Sequence, residues 1–131
     1  ITNKKLFFEN VRNLLAPGGI FAVSDFLSES STDEMTETAQ NLIYKLVNWS
    51  EGLSFNEYKT VLKKNGLLLI KAERRDADMV QTYEKLAQKM ERYINRADET
   101  YLELRERYKS IVSAVKSGKM GWGLFFARIS S

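Results

Sequence analysis

The side chains that most often carry out chemistry are missing from this chain. It has no cysteine and no histidine, which removes thiolate nucleophiles, disulfides, thiolate metal ligands and the usual general base near neutral pH. Hydrolase triads and zinc sites are excluded with them, and no metal is expected. Any reaction must rest on carboxylates, tyrosines, lysines or a bound cofactor. Tyr83, Tyr93, Tyr101 and Tyr108 recur through one charged, helix-patterned stretch. Arg74 and Arg75 offer a pair that an anion could use, although a solvated pair at a strand exit is the commoner outcome. Gly118-Lys119-Met120-Gly121-Trp122-Gly123 is the only glycine cluster. It precedes a strand, whereas a phosphate-cradling loop precedes a helix.

These residues must be positioned by one core, because 131 residues suit one domain or part of one. With 44% hydrophobic and 28% charged residues, the composition is that of a chain that folds. Twenty basic residues are interleaved with 17 acidic ones for a net charge of +3. A nucleic-acid footprint would be more one-sided, so no nucleic-acid partner is expected. The apolar run Gly66 to Ile70 is far short of the roughly 20 residues of a membrane span, so no membrane partner is expected either. Without cysteines or a leader pattern, a cytoplasmic address is the default. The chain opens on Ile1 without an initiator methionine and reads as a portion whose natural start lies upstream.

Asn3 caps a helix over about 4–15, with Phe7, Val11, Leu14 and Leu15 on one face and Pro17-Gly18-Gly19 as its stop. Ile20 to Val23 reads as a strand buried on both faces and therefore internal, with Ser24-Asp25 as its exit. Ser31 and Glu34 form a capping box for a second helix reaching about Val47. Ser54 and Glu57 repeat that device for a short third helix, which Asn65-Gly66 ends. Leu67 to Ala72 is a second strand. Between Leu67 and Ser117 there is neither Gly nor Pro, and a helical period runs over 78–116. One helix of that length would reach ~58 Å at 1.5 Å per residue, so a break is expected near Asn95–Asp98. Gly121 to Ile129 is a final, aromatic strand.

Leu14-Leu15-Ala16-Pro17-Gly18-Gly19-Ile20-Phe21-Ala22-Val23-Ser24-Asp25 resembles a segment of Rossmann-like S-adenosylmethionine-dependent methyltransferases, where such a turn feeds the fifth sheet strand. Phe55 to Ala72 is similar to that family's helix and strand six, and Trp122-Gly123-Leu124-Phe125-Phe126-Ala127-Arg128 to its terminal strand seven. The ending and the long helical insertion are most similar to small-molecule N-methyltransferases of the phosphoethanolamine and sarcosine/dimethylglycine type.

The resemblance implies an α/β fold, the C-terminal half of a sheet ordered 5-7-6, with an insertion at about 78–116 inside a single partial domain, 1–131. It implies S-adenosylmethionine as cofactor, bound by a glycine-rich loop that lies upstream, so that no cofactor-binding residue is expected in this chain. Roughly another hundred residues would complete the domain. The resemblance also places Asp25 at the acceptor pocket, to orient or deprotonate an amine, with Phe26 as a wall. Tyr44 and Trp49 fall in the region that closes over substrates, where aromatic rings can cage a cationic amine. Asn48 and Ser50 depart from the family's arginine and tyrosine near this point, which argues against phosphoethanolamine as substrate. Expected partners are a small-molecule acceptor, the missing N-terminal portion, and a second copy joined through the open strand edge. The rival expectation is a self-sufficient helix-rich interaction module without catalytic activity.

Overall fold

The computed structural model describes residues 3–29, 41–44, 52–93 and 99–129. Its main elements are α1 (Lys4–Leu14), β1 (Ile20–Ser28), α2 (Phe55–Lys64), β2 (Leu67–Arg74), α3 (Asp76–Glu91), α4 (Thr100–Lys116) and β3 (Met120–Ile129). Local chemistry sets several of their ends. The Asn3 side chain accepts from the Leu6 N–H at 3.0 Å and caps α1. Ser54 and Glu57 close a reciprocal capping box on α2. Gly66, at φ +75°, ends that helix and turns the chain into β2.

The strands lie in the order β1-β3-β2, with β3 antiparallel to both neighbours. β1 and β2 therefore run parallel to each other, joined through α2, as parallel strands require a crossover. This is the order expected for strands five, seven and six. The internal strand is β3, not β1: among the described residues β1 pairs with β3 alone, and Ile20, Ala22 and Ser24 are exposed. An apolar run suited to burial on both faces is covered here on only one. β1 is also longer than expected, passing through Ser24 and Asp25 to Ser28, because Met120, Gly121 and Trp122 extend its partner opposite Ser28, Leu27 and Phe26. β2 likewise continues to Arg74, with an irregularity between Leu69 and Lys71.

Side chains alternate across a strand, and the two faces of this sheet meet different helices. Toward α1 and α2, Phe8, Leu27, Tyr58, Leu62, Leu67, Phe125 and Ala127 form a fully buried cluster. Tyr58 stacks on Phe125 at 4.4 Å between centroids, and Phe8 meets Tyr58 edge-on at 5.5 Å. On the opposite face, Phe26 and Trp122 join Met79, Ile111, Ala114, Val115 and Met120 in a second cluster under α3 and α4. Ile20 and Leu68, which flank Arg128 in register on that face, remain 63% and 48% exposed.

The long helical stretch is a hairpin. α3 begins at Asp76 and ends at Glu91, and α4 begins at Thr100. Ring pairs Tyr93–Tyr101 and Tyr83–Tyr108, at 5.0 and 5.9 Å, and the Lys116–Glu84 ion pair at 3.0 Å hold the two helices antiparallel. The expected break, Asn95–Asp98, lies outside the described residues. So does the helix expected from Ser31 to Val47, except for helical residues 41–44, where Ile43 is buried.

Candidate functional site

In open α/β sheets, ligands gather beyond the carboxyl ends of the parallel strands. Here that end collects Ser28 of β1 with Glu29 just beyond it, Arg74 of β2 with Arg75 just beyond it, and Met120 to Trp122 at the start of β3. Three side-chain groups lie at or near it.

Asp25 forms the first. It lies within β1, opposite Gly123, rather than beyond the strand's end. Its Oδ2 accepts from Lys4 Nζ at 3.2 Å and from the Tyr58 hydroxyl at 3.1 Å, and its Oδ1 accepts from the Phe26 N–H at 2.8 Å. Burial, then the charge of Asp25, pushes the Tyr58 hydroxyl well above its ordinary range, so Tyr58 stays a proton donor to this carboxylate. The group binds α1, β1 and α2 together. Asp25 and Phe26, adjacent in sequence, fall on opposite faces of the sheet, so the structure does not bring these two expected site residues together. Phe26 meets Trp122 edge-on at 4.8 Å. Tyr44 is half exposed, and Trp49 lies outside the described residues.

The second group is a polar bridge across the strand ends. Arg74 donates from Nη1 to Glu29 Oε1 at 2.7 Å and from Nε to Asp76 Oδ2 at 2.9 Å, and its guanidinium lies 5.5 Å from the Phe55 ring centre. Glu29 Oε1 also accepts from the Phe55 N–H at 3.0 Å. Burial pulls the Arg74 pKa down, but the hydrogen bonds to Glu29 and Asp76 outweigh it and the net shift is upward. Asp76 Oδ1 accepts from the Trp122 N–H at 2.9 Å, so a side chain takes over β3's pairing where β2 stops. A Cβ on Gly121 would sit 2.6 Å from that oxygen and 2.7 Å from Arg74 Nη2. Any larger residue at 121 would push these side-chain ends aside, so glycine lets the bridge lie against β3.

Beside the bridge is the third feature, an open groove of about 310 Å³ lined by Arg75, Asp78, Met79, Thr82, Tyr83 and Trp122. Arg75 crosses its rim, donating to Glu73 at 3.1 Å and to Asp78 at 3.2 Å. Burial, and then Tyr108, raises the Tyr83 hydroxyl. Sequence reasoning weighed Arg75 as an anion-binding candidate and missed the groove. The available signals were Arg75 and Asp78 one helical turn apart and Trp122 held between two glycines.

Among the described residues, no cluster of three or more metal-ligating side chains occurs, and no helix is long and apolar enough to cross a membrane.

No protein-family model and no curated protein matches this chain. Solved structures do. A protein assigned as a sarcosine dimethylglycine methyltransferase from Galdieria sulphuraria superposes with a TM-score of 0.79 at 19% identity, over 98% of this chain and 48% of its own. Phosphoethanolamine N-methyltransferase 2 from Haemonchus contortus, solved with phosphomonomethylethanolamine and S-adenosylhomocysteine, gives 0.76 at 16% identity, over 98% of this chain and 30% of its own. A cyclopropane synthase from Mycobacterium tuberculosis gives 0.79 at 13%, over 95% and 49%. The likeness shows that this chain has the fold of a part of these proteins. The chain spans about half the length, or less, of these similar proteins.

Proposed function

We propose that this chain forms the acceptor-side portion of an S-adenosylmethionine-dependent methyltransferase that acts on a small molecule, with an amine nitrogen as the favoured acceptor. The half-covered sheet carries this reading: its β1-β3-β2 order leaves one edge of β1 without a partner among the described residues and an apolar face in water. A methyltransferase domain about twice as long would supply both the neighbouring strand and the cover. An interaction module complete in itself would leave them without a role.

Methyl transfer from a sulfonium is an in-line displacement, in which the protein mainly aligns acceptor and methyl group and excludes water. A chain without histidine is suited to such work. Among the described residues each positive-φ glycine, Gly18, Gly66 and Gly118, turns the chain toward a strand and none opens a helix to receive a nucleotide. On this reading the cofactor loop belongs to another part of the protein. On this reading Phe26 walls the acceptor site, Tyr44 and Trp49 belong to its lid, and Asp25 braces α1 and α2 behind it.

Calorimetric titration with S-adenosylhomocysteine tests the division of labour. The chain alone should bind weakly or not at all, and the gene product that contains it should bind at micromolar concentration and transfer label from S-adenosylmethionine to an amine. Micromolar binding by the chain alone would overturn the division. Failure of the gene product to methylate any amine, phenol or carboxylate acceptor would overturn the activity.

A further inference from the structure

Trp122 lines the groove, and both of its backbone polar groups are held from the β2 side by residues just past the end of that strand. Its carbonyl accepts from the Arg75 N–H at 2.8 Å, and its N–H donates to Asp76 Oδ1 at 2.9 Å. Asp76 is held in turn by Arg74, and Arg74 by Glu29, whose Oε1 also accepts from the Phe55 N–H. One chain of hydrogen bonds therefore runs from Trp122 on β3 to the first residue of α2. At the same end of the sheet, the Ser28 N–H donates to the Leu53 carbonyl at 3.0 Å and the Glu29 N–H to the Lys119 carbonyl at 2.8 Å. The chain leaves β1 and returns to α2 at points tied to one another and to the start of β3.

Stability alone does not account for this arrangement. The side chains of Arg74, Glu29 and Asp76 are 38%, 22% and 33% exposed, and ion pairs that water reaches contribute little to folding. Its geometry is nonetheless closely specified. Arg74 places Nε and Nη2 on Asp76 and Nη1 on Glu29, and Gly121 leaves room for the bridge against β3. All three guanidinium nitrogens are engaged in two directions, which a lysine ammonium, a compact point charge, does not reproduce. We propose that Arg74 is a positioning residue of the acceptor side. It acts through Asp76 on Trp122 and through Glu29 on Phe55, so a change at one end of the chain is felt at the other. Phe26, which walls the acceptor site on the reading above, meets Trp122 edge-on at 4.8 Å and is placed with it. The kinetic consequence rests on the proposed methyl transfer, where acceptor alignment governs the rate; the coupling itself stands on the hydrogen bonds.

The test is residue-resolved amide exchange together with steady-state kinetics on the gene product that contains this chain. Arg74→Lys and Glu29→Gln are compared with Arg105→Lys, the same exchange of side chains at an ion pair on α4. Arg74→Lys keeps the charge and loses the fork. It should speed exchange of the Trp122 and Phe55 amides at least tenfold, and Glu29→Gln, at the far end of the chain, should speed Trp122 at least threefold. Arg105→Lys should change neither amide. In labelled-methyl transfer to the acceptor that the assay identifies, Arg74→Lys should lower the acceptor kcat/KM at least tenfold and leave the Kd for S-adenosylhomocysteine within twofold. Unchanged exchange at Trp122, or faster exchange at every amide of β3 and α2 alike, would overturn the proposal. An unaltered acceptor kcat/KM, or an equal loss of S-adenosylhomocysteine binding, would overturn it with the activity intact. The expected exchange pattern in a gene product that methylates no acceptor would sink the activity and keep the coupling.

Discussion

Toward α1 and α2 the sheet buries Leu27, Leu67, Phe125 and Ala127 almost completely, while on its other side Ile20 and Leu68 stand in water at 63% and 48% exposure. The same strands build both faces. On the first, aromatic rings interlock between helix and sheet, and Asp25 is held by Lys4 and Tyr58. On the second, α3 and α4 cover only the end near Phe26, Met120 and Trp122. Apolar residues in β1 show that the strand suits burial; their exposure shows that the covering layer is not supplied by the described residues. Unequal finishing of one sheet is what a part of a larger α/β domain presents, since such sheets are covered on both sides.

Neighbouring phenylalanines offer the strongest way to break this comparison. Phe125→Ala removes a fully buried ring from the covered face and should cost about 3–5 kcal/mol, whereas Phe126→Ala on the opposite face should cost less than half as much. Denaturant unfolding measures both, and equal losses would show the two faces to be equally packed. Next in size, Tyr58→Phe should cost about 1.5–3 kcal/mol, the range for a hydrogen bond to a charged group. It should also change the alkaline limb. The folded state keeps the Tyr58 proton that the unfolded chain releases near the ordinary tyrosine value of about 10. That stabilisation is complete below pH ~10 and declines as pH rises above it. Stability should therefore fall less steeply above pH ~10 in the phenylalanine variant.

Much of the fold was legible because its signals are local. The Ser54–Glu57 capping box, the Asn65-Gly66 stop and the Pro17-Gly18-Gly19 turn each act within a few residues. Strand order followed from three family-like segments in sequence. The site was less legible because its contacts are distant. Asp25 reads as a strand exit until β3 pairs along its whole length, and its partners Lys4 and Tyr58 are 21 and 33 positions away. The groove joins residues 75–83 to Trp122, and no local pattern states that they meet. The hints were Arg75 and Asp78 one helical turn apart and Gly121 and Gly123, each of which marks a close approach to β3.

Smaller effects sharpen the contrast. Ser54→Ala removes the capping box and should cost about 1 kcal/mol, read as a drop in melting temperature. Ile20→Thr and Leu68→Thr on the open face should change the stability of the chain by no more than about 0.5 kcal/mol and should reduce its self-association in light scattering. A large loss at either position would mean that the face is already covered.

Amide hydrogen exchange along β1 tests the central claim most directly. In the chain alone, the amides bonded to β3 should be protected and the alternate ones, on the other edge, should exchange freely. In the gene product that contains the chain, both sets should be protected. Uniform protection of β1 in the chain alone, or an unprotected outer edge in the gene product, would contradict the view that this sheet is one part of a methyltransferase domain.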